Sequence, residues 1–292
     1  MHHDLLDGSQ ILEFYEAGFL RPGSVFGAGE VDELRALLDR ACTREKSEGR
    51  LYDLLDDALW PLSDPADPES RHGIESGGEP TRHVPFLFNL WRTEPEIRQF
   101  IFDTTLGRWA AQLIGARRVR VLEDNALWKE PYTGGELKWH QDYPYWPLAQ
   151  PNAVTAWIAL DDVDADNGAM SVAIGSHLTG ERLPVVFGTG RPYLHEQRPA
   201  TVKPIADPLS LGLEVETVAL KAGEVSFHSG LTWHASGPNN SNRQRRAIVI
   251  RYVGDGTIWL GSQRYEYNYS DEEVGLEVGE PIGGEYFPLV PI

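Results

Sequence analysis

The sequence predicts a mainly β domain, a sandwich or barrel of short strands buttressed by helices from the N-terminal third of the chain. The first part of the sequence, up to about residue 115, carries apolar residues at helical spacing. Beyond it, short runs rich in β-branched and aromatic residues alternate with turn residues. A helical block followed by many strands fits this architecture better than alternating βαβ units.

Three stretches of the N-terminal part predict helices. In "SQILEFYEAG" we expect Ser9 to be the N-cap and Gly18 to end the helix. A stretch ending near Gly115, "EPEIRQFIFDTTLGRWAAQLIGA", predicts one or two further helices, and residues 62–83 predict a loop rich in Pro, Gly and acidic residues. Between these lies a helix whose apolar positions share one face, namely Val31, Leu34, Leu37, Leu38 and Ala41.

Strands are predicted from residue 116 onwards. Residues 178–214 form a long insert between two of them, and inserts of this length are commonly functional lids or disordered. The runs that predict strands are "RRVRVLEDNALW", "AVTAWIAL", "GAMSVAI", "VETVAL", "EVSFH" and "RAIVIRYV".

Charge and cysteine content narrow the classes of partner and compartment. The 292 residues include 26 basic and 44 acidic side chains, for a net charge of −18, which disfavours binding to nucleic acid. The single cysteine, Cys42, excludes an internal disulfide. The N-terminus has no apolar signal core, and no run approaches the roughly 18 apolar residues that span a bilayer. We therefore expect a soluble cytoplasmic protein without a membrane partner.

His140 and Asp142 are the first candidate ligands for a metal. On an extended strand, residues i and i+2 point to the same side, so the imidazole and carboxylate would converge while Gln141 faces away. The pattern is weak alone, because the stretch 2–4 repeats it by chance. The alternative is a polar pair within an aromatic piece of core.

A second candidate segment, "FHSGLTWHASGPNNSNRQRRAIVIRYV", carries His228, His234 and then three arginines. One of these histidines added to His140 and Asp142 gives two histidines and one carboxylate, a set typical of non-haem iron oxygenases. An arginine entering a buried strand needs an anionic partner. The alternative is a core histidine followed by solvated arginines at positions 243, 245 and 246.

Together these segments resemble the phytanoyl-CoA dioxygenase family of Fe(II)/2-oxoglutarate-dependent oxygenases. The resemblance begins at "ILEFYEAGFLRPG" and continues through the His-x-Asp pair, "AVTAWIALDDVDADNGAMSVAIGSH" and the segment around His234. These four blocks follow the order of the family. Ile174 and Ala235 depart from its loop residues but not from its ligands.

The resemblance implies roles for particular residues. His140, Asp142 and His234 would be the catalytic metal ligands, which leaves His228 as a neighbour. Arg245, chosen ahead of the arginines at 243 and 246, would bind the distal carboxylate of 2-oxoglutarate. Two further residues would line the cofactor site, Trp157 and Lys129.

The fold that the resemblance implies is a double-stranded β-helix, a jelly-roll or cupin-like core buttressed by N-terminal helices. We expect a single domain over residues 1–292. Its helical part would cover about 1–115, its jelly-roll core about 116–253 and a C-terminal extension 254–292.

The implied activity uses Fe(II), 2-oxoglutarate and O2 to hydroxylate a small organic metabolite, with release of succinate and CO2. The same cofactor chemistry also supports desaturation, cyclisation or epimerisation. Halogenation is disfavoured because halogenating relatives lack the carboxylate ligand, and Asp142 is present. The oligomeric state stays open.

Candidate substrate residues follow the His-x-Asp pair and lie in the insert. Tyr143, Tyr145 and Trp146 would wall the pocket or, alternatively, fill the core. Arg191 would bind an anionic group of the substrate, in an insert that also carries Tyr193, His195 and Arg198 or that is a solvated loop.

Two other classes of function compete with an oxygenase. One is a metal-binding cupin-like isomerase or binding protein, although such sites usually contain a His-x-His pair that this chain lacks. The other is a degenerate relative that serves as a structural partner, which the presence of all three candidate ligands and Arg245 disfavours.

Overall fold

A computed structural model describes residues 5–48, 51–53, 58–59, 84–185, 201–261 and 271–292. The predicted loop at 62–83 and the centre of the insert lie outside the described residues, so those expectations stay predictions.

Helices occupy the N-terminal part of the chain, as predicted. The carboxylate of Asp7 accepts hydrogen bonds from the amides of Ser9 and Gln10, so the N-cap of the first helix is Asp7 and the prediction of Ser9 was wrong. Gly18 ends this helix in the left-handed conformation, with φ 83°. The described helices are α1 Gly8–Ala17, α2 Ala28–Ser47, α3 Leu90–Thr93, α4 Arg98–Ile101, α5 Thr104–Ile114 and α6 Asp271–Val274.

The predicted apolar face of α2 is buried along its whole length. All five residues named for it are at most 3% exposed. The stretch before Gly115 divides into α4 and α5, and Gly115 ends α5.

Twelve strands in the described residues form two sheets. The larger has the order β1-β10-β7-β12-β5-β4-β2-β3 and the smaller the order β6-β11-β8-β9. The pairings are antiparallel, as in the predicted double-stranded β-helix. The strands are β1 Phe19–Ser24, β2 Tyr52–Asp53, β3 Ala58–Leu59, β4 Pro85–Phe88, β5 Val119–Lys129, β6 Leu137–His140, β7 Ala153–Ala159, β8 Met170–Ala173, β9 Val215–Val218, β10 Glu224–Ser229, β11 His234–Ser236 and β12 Arg245–Gly254.

The larger sheet has two buried faces, which β7 shows most clearly because all seven of its residues are buried. Its outer face, with Ala156 and Ile158, packs against the helices. Its inner face, with Trp157 and Ala159, packs against Met170 of the smaller sheet. The alternation of side chains along a strand therefore separates a helix-covered core from an interior between the sheets.

Strands β1 to β4 correct the expectation of a helical part over about 1–115, and β1 is the first of them. It pairs with β10 at the end of the larger sheet although its sequence, "FLRPGS", contains Pro22 and Gly23. The pairing register shifts between Leu20 and Gly23, which fits the known restriction of proline to edge strands and bulges.

The C-terminal segment packs against the strands through a third apolar cluster. Trp259 and Phe287, both fully buried, meet Leu122 of β5 and Trp146 there. Among the described helices, none combines the length and the apolar character needed to cross a bilayer.

Candidate metal centre

The two histidines of the candidate site lie side by side on neighbouring strands of the smaller sheet. His140 ends β6, His234 begins β11, and the register of these antiparallel strands pairs the two residues directly. Their ring centroids lie 4.1 Å apart, and both side chains are buried. The pairing thus joins residues that are far apart in sequence.

Asp142 joins the histidines by a route that differs from the predicted one. Its backbone has φ −76° and ψ −42°, a helical conformation just past the end of β6, so the same-side rule for a strand does not apply to it. The turn nevertheless directs Oδ1 to within 4.0 Å of Nε2 of His140 and 3.7 Å of Nε2 of His234. One ligand atom from each of the three residues lies within 4.8 Å of the others.

Backbone carbonyls orient both imidazole rings. Nδ1 of His140 lies 2.7 Å from the carbonyl of Lys138, and Nδ1 of His234 lies 3.0 Å from that of Thr232. When Nδ1–H donates to the carbonyl, the lone pair of Nε2 is left for a metal, an arrangement common in metal sites. Burial lowers the pKa of both rings, and that of His234 falls well below its usual range because His140 and His228 also adjoin it.

Asp142 is held in its ionised form. Burial alone would raise the pKa of this carboxyl, but the charge of Arg251 and the nearby imidazoles of His234 and His228 hold the pKa well below its usual range. Two neutral imidazoles and a carboxylate form the donor set that leaves open positions on iron(II). Bonds from such ligands to a divalent metal are about 2.0–2.2 Å long, so adjacent donors around one ion lie about 3 Å apart, and the three side chains would close by about 1 Å around it.

Arg245 lies at the start of β12, on the inner face of the larger sheet. Its side chain is 1% exposed, and within the described residues Nε and Nη1 have no hydrogen-bond partner. The guanidinium carbon lies 5.0 Å from the ring centroid of Trp157. Burial lowers the pKa of Arg245 to about 10, so the group stays charged at neutral pH and requires an anion.

Lys129 pairs directly with Arg245 across β5 and β12. Its Nζ lies 2.8 Å from Oγ of Ser236 and also contacts the backbone carbonyls of Ser236 and Gly237. Burial and the charge of Arg245 lower the pKa of Lys129 to about 6. Lys129 therefore connects β5 to the end of β11 and to the residue after it, and its role towards a cofactor stays a prediction.

The aromatic residues after Asp142 have different surroundings. Trp146, 3% exposed, belongs to the apolar cluster under the C-terminal segment, and Tyr143 packs against that cluster. Tyr145 lies next to the metal centre, since its ring centroid is 6.4 Å from that of His140. Its hydroxyl donates to the carbonyl of Val185 and accepts from the amide of Val185.

Gln141 faces away from the ligands, as expected for the residue between them. Its Nε2 donates to the carbonyls of Gly180 and Leu231, and its Oε1 accepts from the amide of Arg182. Tyr145 and Gln141 thus anchor the first residues of the insert beside the metal centre. Arg191 lies outside the described residues, together with Tyr193, His195 and Arg198.

Thr155 and Arg251, which were not predicted as site residues, surround Asp142 together with His228. Oγ1 of Thr155 donates to Oδ2 of Asp142 over 2.7 Å, and Nε2 of His228 lies 3.3 Å from the same oxygen. Arg251 has its Nε 3.7 Å from Oδ2 and also pairs with Glu123. A charged residue inside the apolar run "AIVIRYV" was a usable sign of Arg251, whereas nothing local marks Thr155.

Comparisons with known proteins agree with this geometry. The family model described as "Phytanoyl-CoA dioxygenase (PhyH)" matches residues 14–247. A probable alpha-ketoglutarate-dependent hypophosphite dioxygenase of Stutzerimonas stutzeri is 31% identical over 137 residues, which are 47% of this chain and 46% of the relative. The chain spans about half the length of the curated relatives that head this comparison.

Solved structures resemble the chain along almost its whole length. The alpha-ketoglutarate-dependent carbocyclase SnoK from nogalamycin biosynthesis is 26% identical, with a TM-score of 0.67 over 98% of this chain and 97% of SnoK. The epimerase SnoN, solved with Fe3+, alpha-ketoglutarate and nogalamycin RO, is 21% identical and shares the fold, with a TM-score of 0.68 over 97% of this chain and 98% of SnoN. The chain belongs to the phytanoyl-CoA dioxygenase family.

Proposed function

We propose that the chain is an Fe(II)/2-oxoglutarate-dependent dioxygenase that hydroxylates a small organic metabolite. One observation carries this proposal. A set of three metal ligands shares one buried interior with Arg245, whose Nε and Nη1 have no hydrogen-bond partner among the described residues. The balanced reaction takes substrate R–H, O2 and 2-oxoglutarate to R–OH, succinate and CO2.

Different residues of the chain would bind the metal and the 2-oxoglutarate. His140 and His234 would bind the metal through Nε2 and Asp142 through Oδ1. Iron(II) with a bound 2-oxo acid supplies the activation of dioxygen that the side chains themselves lack. The guanidinium of Arg245 would hold the distal carboxylate of 2-oxoglutarate against Trp157, and such charge-assisted bonds are strong in a dry interior.

Cyclisation and epimerisation form a second candidate outcome with the same cofactors. The full-length similarity to the carbocyclase SnoK favours it. Product masses distinguish the outcomes, since hydroxylation adds one oxygen atom, oxidative cyclisation or desaturation removes two hydrogens, and epimerisation leaves the mass unchanged.

A small-molecule substrate would lie beside Tyr145, whose ring adjoins His140. Arg191 would bind an anionic group of that substrate, and Tyr143 and Trp146 would shape the wall behind it. Single replacement of Tyr145 or Arg191 tests this pocket. If substrate affinity is unchanged in both variants, the pocket assignment is wrong.

The remaining assignments concern the whole chain. Residues 1–292 would act as one domain, which the packing of Trp259 and Phe287 against β5 supports. A reducing cytoplasm suits both ferrous iron and a chain whose single cysteine cannot form an internal disulfide.

The proposed function is tested by an aerobic assay for succinate with a substrate screen. Wild-type protein should form succinate only with Fe(II) and 2-oxoglutarate, and a true substrate should gain mass as succinate forms. Asp142→Ala should abolish turnover and metal binding. The matched control Asp162→Ala removes a half-exposed carboxylate that pairs with Lys221 and should change neither. Metal-dependent isomerisation without succinate would support the cupin-like alternative instead.

A further inference from the structure

Four polar side chains lie at one level of the larger sheet, on four adjacent strands. Register pairs Glu123 of β5 with Arg251 of β12, Arg251 with Thr155 of β7, and Thr155 with His228 of β10. Three of them are at most 4% exposed, and the side chain of Arg251 is 14% exposed. Because polar groups are costly to bury without partners, we expect these side chains to contact a common group.

The shared neighbour of this polar row is a single oxygen of Asp142. Oδ2 accepts the hydrogen bond from Oγ1 of Thr155 at 2.7 Å and lies 3.3 Å from Nε2 of His228. Nε of Arg251 lies 3.7 Å from the same atom. A carboxylate only accepts hydrogen bonds, so the imidazole of His228 donates here.

The other oxygen of Asp142 faces the opposite way. Oδ1 is the atom that lies 4.0 Å from Nε2 of His140 and 3.7 Å from Nε2 of His234. The two carboxylate oxygens therefore have separate environments, one among the candidate ligands and one among the polar row.

Charge within the polar row is balanced without Asp142. Nη1 of Arg251 lies 3.2 Å from a carboxylate oxygen of Glu123, whose side chain is 5% exposed. Arg251 thus has a buried acidic partner of its own, and Asp142 is a second, more distant one.

We propose that Thr155, His228 and Arg251 are positioning residues that hold Oδ2 of Asp142, so that Oδ1 alone is presented to the metal. This arrangement keeps open the metal positions that a second carboxylate oxygen would otherwise occupy. The inference rests on the metal site of the proposed function. It adds a specific assignment of the two oxygens and of the residues that enforce it.

Binding of Mn(II) tests the role of Thr155 without turnover. The affinity is measured from the electron paramagnetic resonance signal of free Mn(II) in the absence of 2-oxoglutarate. Thr155→Val keeps the shape and removes the donor, and we expect a loss of about 10-fold or more, the range found for outer partners of metal ligands. Thr155→Ser keeps the hydroxyl and should restore most of the affinity.

Thr257→Val is the matched control. Thr257 is also buried, at 3% exposure. Its Oγ1 donates to the carbonyl of Gly254 over 2.7 Å and accepts from Nδ2 of Asn152 over 3.3 Å, and neither partner is a candidate ligand. Unfolding by urea should show similar losses of stability in Thr155→Val and Thr257→Val, while only the former weakens Mn(II) binding. Equal weakening in both variants would overturn the positioning role.

A second pair of variants covers the case in which Thr155→Val does not fold. His228→Gln can present an amide donor towards Oδ2, whereas His228→Leu cannot. We expect His228→Leu to lose more Mn(II) affinity than His228→Gln. The positioning role is overturned if every folded variant of Thr155 and His228 binds Mn(II) as the wild type does. If Asp142→Ala also retains full Mn(II) affinity, the metal site itself is wrong, which is a different result.

Discussion

Arg245 and Arg251 occupy the same face of the same strand and have opposite surroundings. Both lie in β12 and point into the interior between the sheets. Arg251 pairs with Glu123 and approaches Asp142. Arg245, 1% exposed, is neighboured by the indole of Trp157 and by Lys129, a second basic side chain.

The difference separates a charge that the fold satisfies from a charge that awaits a ligand. An unpaired buried cation is costly, so a site such as that of Arg245 persists only where a bound anion compensates it. A paired one such as Arg251 compensates a buried carboxylate, so its loss alone leaves that carboxylate unpaired. The same residue type, six positions apart, therefore has opposite effects on stability and binding.

The largest effect is expected at Arg251. Arg251→Met leaves the carboxylate of Glu123 buried without its partner, and breaking a buried pair in this way costs about 3–5 kcal/mol in the free energy of unfolding. Urea unfolding of the metal-free protein measures the loss. The double variant with Glu123→Met should recover most of it. Equal stability of the single and double variants would show that the pair is not what holds this level of the sheet.

A large effect on binding is expected at Arg245. Arg245→Met should weaken the binding of 2-oxoglutarate by about 2–5 kcal/mol, because the distal carboxylate of the ligand would then lose its buried charged partner. Calorimetric titration of 2-oxoglutarate into the Mn(II)-loaded protein measures this. The free energy of unfolding of the apo protein should not fall. A destabilised apo protein with unchanged affinity would reverse the contrast with Arg251.

Lys129, which pairs with Arg245, should make the free energy of unfolding of the protein depend on pH. Its folded pKa of about 6 lies below that of an unfolded lysine, so the unfolded chain binds more protons between these values. The free energy of unfolding should thus rise with pH across that window, by up to about 1.4 kcal/mol per pH unit for one proton.

Lys129→Met should flatten this rise between pH 6.5 and 8.5, as measured by urea unfolding at several pH values. Lys221→Met is the control, since Lys221 is exposed and its pKa is raised by the hydrogen bond to Asp162. A flattened profile in the control, or an unaltered one in Lys129→Met, would contradict the assignment.

The smallest effect is expected at Tyr145, an uncharged neighbour of the metal centre. Tyr145→Phe removes the hydrogen bonds with the backbone of Val185 and should cost about 1 kcal/mol of stability. Tyr143→Phe, which removes a hydrogen bond to Leu148, is the matched control. Mn(II) affinity should be unchanged in both. A weakened metal site in Tyr145→Phe alone would add this ring to the residues that shape it.

The elements that could be predicted from sequence are those whose structure follows from a local pattern of residues within one segment. Helical spacing placed the buried face of α2, and runs of β-branched residues placed β5, β7 and β12. Strands β6 and β11 are too short for any such pattern, although they carry His140 and His234.

The metal centre was partly predictable for the same reason. The candidate ligands are of types that bind metals, although the His-x-Asp pattern also occurs by chance at residues 2–4, so the pair needed His234 and Arg245 beside it. The contacts of Thr155 and Arg251 with Asp142 depend on the register between distant strands, which no local pattern contains. The register also decides that Arg251 meets Glu123, whereas Arg245 meets Lys129.

Anaerobic titration of the Fe(II)-loaded protein with 2-oxoglutarate tests the central claim most directly, because the signal depends on the metal ligands and on Arg245 at once. We expect a visible charge-transfer band that saturates in wild-type protein, is absent in Asp142→Ala and needs far more 2-oxoglutarate in Arg245→Met. A wild-type protein that binds Fe(II) and develops no band at any concentration of 2-oxoglutarate would contradict the account.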